Sequence, residues 1–197
     1  MNYISLVSED ELSENVMIRI LKDFPDKYEI ANTYPGHGYG YLKSKIRGFN
    51  QASVCHPFFM LTDLDLYDCP LALITDWIDF PKHNNLLFRV AVREVESWLL
   101  ADKEGLSRFF NLSVANFPDS PDSLPDPKNT LINLARRSRK RQIREDIVPI
   151  NNNASIGPNY NSCLSEFVFN HWDLQNALVR SNSLDRTWKR LSQFEAL

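Results

Sequence analysis

Two groups of carboxylates stand directly after apolar runs in this sequence. Glu9 and Glu11 follow Tyr3–Val7, with Glu14 close behind, and Asp63-Leu64-Asp65 follows Phe58–Thr62. In an open α/β sheet, ligands bind in the crevice beyond the carboxyl ends of the strands. Several carboxylates gathered there repel one another unless a cation sits among them or some carry protons. All-oxygen donors suit a hard ion, Mg²⁺ or Mn²⁺, rather than zinc. Such an ion positions a phosphate and activates water. The same residues also have ordinary uses. Asp turns chains and caps helices, and acids at 9–14 suit the positive end of a helix dipole.

A second grouping is basic. Arg136, Arg137, Arg139, Lys140, Arg141 and Arg144 supply six of the 22 Lys and Arg, in a chain whose formal net charge is −3. The positive charge is therefore segregated rather than mixed. If one helix spans Asn129–Arg144, then Arg136, Lys140 and Arg144 share a face. Such a stripe could follow a phosphate backbone, or be a solvated face paired with Glu145 and Asp146. Lys128 stands apart, behind Pro125-Asp126-Pro127. There it is either a first-turn lysine or a cation placed to stabilise charge on a phosphate in the transition state.

These residues need a scaffold, and the apolar pattern supplies one. Residues 3–7, 28–32, 58–62 and 86–92 read as strands. Helical spacing follows the first strand (Val16, Ile18, Ile20, Leu21), with Ser8 or Ser13 as a possible cap. Further helices are expected around Lys43–Arg47, over Cys69–Trp77, and over Arg93–Asp102 with Val95, Trp98, Leu99 and Leu100 as its apolar stripe. Strand and helix alternate, so the expected class is α/β: a mainly parallel sheet with flanking helices. Pro118, Pro121, Pro125 and Pro127 mark a loop. They set a soft boundary near residue 117, giving a domain over 1–117 and a C-terminal helical extension over 118–197. Helical patterns return near 164–168 and 174–179, with Asn161 as a possible cap.

Other features narrow the classes. The chain has 197 residues, 43% of them hydrophobic and 12% aromatic, enough for a sizeable core and unlike a disordered chain. Cys55, Cys69 and Cys163 are odd in number and far apart, which fits neither a disulfide framework nor a zinc site. His37, His56, His83 and His171 are scattered, and no Ser-His-Asp or Cys-His arrangement is legible. Gly36, Gly38 and Gly40 match neither a Rossmann fingerprint nor a P-loop, so a turn is expected, with His37 exposed in it. Trp77, Trp98, Trp172 and Trp188 are expected in the core or at an interface rather than stacking on bases. The short apolar segment at Tyr3–Val7 meets acids at once and reads neither as a signal peptide nor as a membrane span. The expected location is the cytoplasm.

A strand ending in Glu, then strand and helix, then a strand ending in Asp-x-Asp resembles the TOPRIM domain of topoisomerases, bacterial primases and OLD-family nucleases. The resemblance covers roughly residues 1–102. It implies that Glu9, Asp63 and Asp65 coordinate metal. In the family's first motif a Gly follows the Glu, whereas Asp10 stands here, so Glu11 or Glu14 would supply the second acid. Arg93-Glu94-Val95-Glu96-Ser97-Trp98-Leu99-Leu100 is similar to a segment of OLD-type nucleases and of small TOPRIM proteins encoded beside ATPases. On this likeness Glu96 joins the metal shell. As helical neighbours, Glu94 and Glu96 would lie about 200° apart, so only one would face an ion. The implied function is a Mg²⁺- or Mn²⁺-dependent nuclease acting on DNA or RNA, with Lys128 and the 136–144 cations on phosphate and an ATPase partner in a bacterial or phage-defence system. The alternative is a non-catalytic subunit using a degenerate TOPRIM fold to bind a partner protein. Primase- or topoisomerase-like chemistry ranks below both, because no accompanying zinc or tyrosine-bearing cleavage domain is legible.

Overall fold

The structure, a computed structural model, describes residues 1–36, 38–151 and 153–196. His37 lies outside them. Four strands are present: β1 (Asn2–Ser8), β2 (Tyr28–Pro35), β3 (Phe58–Asp63) and β4 (Leu86–Ala91). Three helices alternate with them: α1 (Glu11–Leu21), α2 (Tyr39–Ala52) and α3 (Pro70–Trp77). The sheet order is β2-β1-β3-β4, and every pairing is parallel. The expected α/β class with a parallel sheet and flanking helices is the one observed.

Strand faces follow the period-two alternation of side chains. Val7, Phe58, Met60, Phe88 and Val90 pack with Leu42, Ile46, Leu73 and Trp77, so α2 and α3 cover one face. Helix α1 packs against β1, β2 and β3 through buried Leu12, Val16 and Ile20. From β1 the chain moves outward to β2, then crosses back to β3 and β4. The strand order therefore reverses between β1 and β3, which is the topological switch point of the sheet.

Seven further helices follow: α4 (Val95–Ala101), α5 (Lys103–Phe110), α6 (Pro127–Arg136), α7 (Arg141–Ile147), α8 (Tyr160–Asn170), α9 (Leu174–Arg180) and α10 (Asn182–Gln193). The chain forms two compact units. One comprises Met1–Val92 and the residues from Arg186 onward, the other Arg93–Asp185. The division expected near residue 117 falls inside the second unit. There α4 is buried along its whole length and packs with α6 and α9. The proline-rich loop belongs to this unit as well. Pro121 is buried, and Asp122 accepts hydrogen bonds from the Ser181 hydroxyl (2.7 Å) and the Ser183 amide (3.0 Å). The end of the expected extension returns to the first unit, where Tyr28 donates to the Leu191 carbonyl at 2.6 Å and Trp188 donates to Asp23 at 3.3 Å.

The expected helix over 129–144 is broken. Helix α6 stops at Arg136 and α7 starts at Arg141. Buried apolar positions run to Ala135 and resume at Ile143, with only Ser138 buried between them, so nothing apolar holds the basic stretch to a core. Ser138 occupies the break. Its hydroxyl donates to the Phe110 carbonyl at 2.6 Å and accepts from the Lys140 amide at 3.1 Å, a local bonding pattern that competes with helix.

Candidate functional site

The Glu9 carboxylate meets the backbone of the β3 end at the switch point. Strand β1 ends at Ser8, and Glu9 and Asp10 make the turn into α1. Asp10 is the helix cap, accepting from the Ser13 amide at 2.8 Å. Its carboxylate satisfies an otherwise orphaned helix amide. Neither Ser8 nor Ser13 is the cap. The Ser8 hydroxyl is buried with no partner among the described residues.

Glu9 reaches across to β3. Its Oε1 accepts from the Thr62 hydroxyl and from the Asp63 amide at 3.1 Å. The Glu9 side chain is thus tied to the backbone at the end of β3. Asp63 is buried and pairs with Ala91 of β4. Leu64, also buried, donates its amide to the Ala91 carbonyl at 2.9 Å, pinning the centre of the Asp-x-Asp triplet. Asp65 then turns the chain with a φ of 48°, a left-handed conformation that Asp tolerates better than most residues.

Glycine fixes the other wall. The Gly36 amide donates to the Ser8 carbonyl at 2.6 Å, and a Cβ at this position would lie 2.4 Å from that oxygen. Only glycine lets the loop after β2 pass so close to the end of β1. Gly38 donates to the Glu9 carbonyl at 3.3 Å. The Gly-x-Gly segment thus brackets the backbone of Glu9. Neither this nor the Thr62 contact was foreseen. A glycine-rich turn directly after a strand was the available signal.

Burial pushes the Glu9 carboxyl above its ordinary range. The bonds from Thr62 and Asp63 oppose this, and the nearby charges of Asp65 and Asp10 add to it. No basic side chain pairs with Glu9 among the described residues. A half-buried carboxylate with like charges around it, and an unpartnered hydroxyl beside it, fits an external hard cation. Among the described residues, no three His, Cys, Asp or Glu side chains come close enough to enclose an ion. Mg²⁺ commonly keeps several waters and takes only one or two carboxylates with substrate phosphate, a demand that Glu9, with the charge of Asp65 near it, could serve. Glu11 and Glu14 lie in the first turn of α1, exposed and half-buried respectively. Among the described residues, the expected shell of Glu9, Asp63, Asp65, Glu96 and one of Glu11 or Glu14 is not gathered into one cluster.

Glu96 belongs to a cluster of the second unit. It is buried, and its Oε1 accepts from the Tyr160 hydroxyl at 2.8 Å. The Lys128 ammonium lies 3.6 Å from it and 3.5 Å from Glu94, and the Lys128 amide donates to Glu94 at 2.9 Å. Burial pushes Glu96 up to about 7, against the pull of Lys128. Both glutamates reach one lysine because Glu94 is not helical. It is the extended cap residue before α4, with φ −138° and ψ 160°, so the angle expected between helical neighbours does not apply. Lys128 is thus held between carboxylates rather than standing alone.

The basic residues do not form a stripe. Arg136 ends α6 and donates to Asn133 (2.7 Å), Arg137 to Asn116 (2.5 Å), and Arg141 to Glu145 (2.7 Å). Lys140 lies 5.5 Å from the Phe109 ring centre. Arg144 donates to the Ser138 carbonyl at 2.5 Å and so helps close the break between α6 and α7. Arg139 is exposed. Trp77, Trp98 and Trp172 are buried, and Trp188 lies against Phe24 with ring centres 5.3 Å apart.

No protein-family model matches the chain, and no curated protein matches it. Among solved structures, the C-terminal region of the Burkholderia pseudomallei OLD protein aligns with 97% of this chain over 99% of its own length, with 14% identity and a TM-score of 0.45. No helix among the described residues is long and apolar enough to cross a membrane.

Proposed function

We propose that this chain is a Mg²⁺- or Mn²⁺-dependent phosphodiesterase that cuts DNA or RNA. The observation that carries the reading is the Glu9 carboxylate bonded to the Asp63 amide at the β1/β3 switch point, half-buried and without a cation. Glu9, Asp63 and Asp65 would hold the metal, which when bound would activate water and offset charge on the phosphate. Thr62 and the Asp63 amide keep the Glu9 carboxylate directed into the crevice. Gly36 and Gly38 hold its backbone there. Asp65, exposed at the turn, would meet the incoming phosphate side of the ion. Lys128 would stabilise developing phosphate charge. Its ion pairs of 3.5 and 3.6 Å exceed the ~2.7–2.9 Å of tight charged bonds, and its side chain keeps 34% exposure. The 136–144 cations would add weaker backbone attraction. An ATPase partner, in bacterial or phage defence, follows from the family resemblance alone, and a cytoplasmic setting from the reading of the Tyr3–Val7 segment.

The test is single-turnover cleavage of DNA and of RNA with Mg²⁺ or Mn²⁺. Asp63→Asn and Glu9→Gln should lose at least about a hundredfold in rate, and Lys128→Ala roughly ten- to a thousandfold with affinity nearly unchanged. A second reading, a non-catalytic protein-binding subunit, is favoured by one observation: no three-acid cluster is enclosed among the described residues. Wild-type protein that neither cuts nucleic acid nor gains stability from either metal would select it.

A further inference from the structure

A different set of charges in the first unit lacks the partners that cations ordinarily find. Arg89 lies half-buried on β4, the edge strand, and its Nε donates to the Thr187 hydroxyl on α10 at 3.3 Å. Arg186 adjoins Thr187, and Arg190 follows one turn later. Both are exposed. The Lys82 ammonium donates to the carbonyls of His83 (3.1 Å) and Leu86 (2.9 Å) at the start of the same strand. Arg190 also lies 5.7 Å from the Phe194 ring centre. Among the described residues, no carboxylate forms an ion pair with any of these four. Elsewhere in the unit Arg19, Lys43 and Arg47 pair with Asp23, Asp76 and Asp79.

The four also act on one another. Burial lowers the proton affinity of Arg89, and the charges of Arg190 and Arg186 lower it further. Lys82 is lowered in the same way, by burial and then by Arg190 and Arg89. The dipole of α10 favours a cation in its last turn, which accounts for Arg190 but not for Arg186 or Arg89. Like charges brought together without a counter-ion cost stability, and an anion is what would recover it.

We infer that Lys82, Arg89, Arg186 and Arg190 form a phosphate-binding surface that grips the sugar–phosphate backbone of a nucleic acid at the β4 edge. The inference rests on the nuclease reading for the identity of the polyanion. Arg186 and Arg190 are about 6 Å apart along the helix axis, a spacing suited to successive phosphates rather than to one small anion. Lys82 is placed at the start of β4, whereas Asp63 pairs with its last residue, Ala91. A six-residue strand spans roughly 20 Å, so a phosphate held there lies several nucleotides from one at the acidic crevice. The surface would thus set register on the substrate, a task the broken 136–144 segment does not perform as a single face.

The experiment uses a short fluorescein-labelled DNA, single- and double-stranded, titrated in EDTA at several salt concentrations. The exposed-residue variant R186E/R190E should bind about tenfold or more weakly, and the slope of log affinity against log salt should fall by about two. Inorganic phosphate should raise the melting temperature of the wild type beyond potassium chloride of equal ionic strength. R186Q/R190Q should lose that rise, and the same melts report whether the variants fold. Wild-type affinity and salt slope in R186E/R190E would overturn the inference, as would wild type that binds no DNA. A phosphate-dependent melt with unaltered DNA binding would make this a small-anion site and also overturn it. Wild type that binds DNA here yet cuts none with Mg²⁺ or Mn²⁺ would remove the hydrolase reading and leave this surface standing.

Discussion

Glu9 and Glu96 are both carboxylates that burial pushes above their ordinary range, yet their surroundings differ in sign. Glu9 is relieved only by neutral donors, Thr62 and the Asp63 amide, while Asp65 and Asp10 add repulsion. Glu96 has Lys128 at 3.6 Å and the Tyr160 hydroxyl at 2.8 Å. The second cluster carries its own cation, whereas Glu9 has no ion pair among the described residues. Counting acids in the sequence does not separate the two cases. What separates them is whether the fold delivers a lysine.

The contrast can be broken most forcefully at Lys128. Lys128→Met should cost about 3 kcal/mol, because it leaves Glu94 and a buried Glu96 without their cation. Glu9→Gln, measured without metal, should cost far less, since its amide oxygen can still accept from Thr62 and the Asp63 amide while a charge with no ion pair among the described residues is removed. Chemical denaturation of both variants checks this, and equal losses would erase the distinction. Next in size is the pH dependence. Glu96 is raised from 4.5 to about 7, so its contribution to stability is full below about 4.5 and is lost as pH rises through about 7. The difference in unfolding free energy between wild type and Glu96→Gln should therefore change by up to about 3 kcal/mol across that window. A flat difference would mean that Glu96 titrates as in the unfolded chain. Third is metal linkage. Mg²⁺ or Mn²⁺ at a hundred times its dissociation constant should stabilise the wild type by about 2.7 kcal/mol. The gain should grow as pH rises through the raised Glu9 value, because the ligand must be ionised. It should vanish in Glu9→Gln and Asp63→Asn and persist in Glu96→Gln. Its loss in Glu96→Gln would return Glu96 to the metal shell.

The parallel sheet was legible because Phe58–Thr62 and Leu86–Val92 are short apolar runs with helices between them, and period and length together leave few topologies. That Glu9 would come near the end of β3 was legible for the same reason, since Glu9 follows β1 and Asp63 ends β3. Three things were not legible. The basic helix broke because its charged stretch has no apolar position to anchor it, and helical propensity yields to that. The division between the units was hidden because the proline-rich loop looked like a linker, yet Asp122 and Pro121 tie it down. The Arg89 cluster brings together residues from β4 and α10 that are far apart in sequence. Helix α10 itself had a readable signal in Leu184, Thr187 and Leu191, which are buried at helical spacing. The polar residues around them masked it.

The smallest effect concerns Asp10, the residue after Glu9. Its carboxylate has two separable roles: it caps α1 through the Ser13 amide, and its charge raises Glu9. Asp10→Ala removes both and should cost about 1 kcal/mol, whereas Asp10→Gly, which tolerates the cap geometry, should cost only a few tenths. Both should lower the Glu9 titration equally, because both remove the same charge. Melting curves give the first pair of numbers, and the pH at which metal begins to stabilise each variant gives the second. If the chain is the proposed nuclease and Asp10 is held only as a cap, both variants should cut as fast as the wild type once folded. If activity falls equally in both while their stabilities differ, the charge beside Glu9 is the functional part, and Asp10 is then a positioning residue for the metal crevice rather than a helix cap alone.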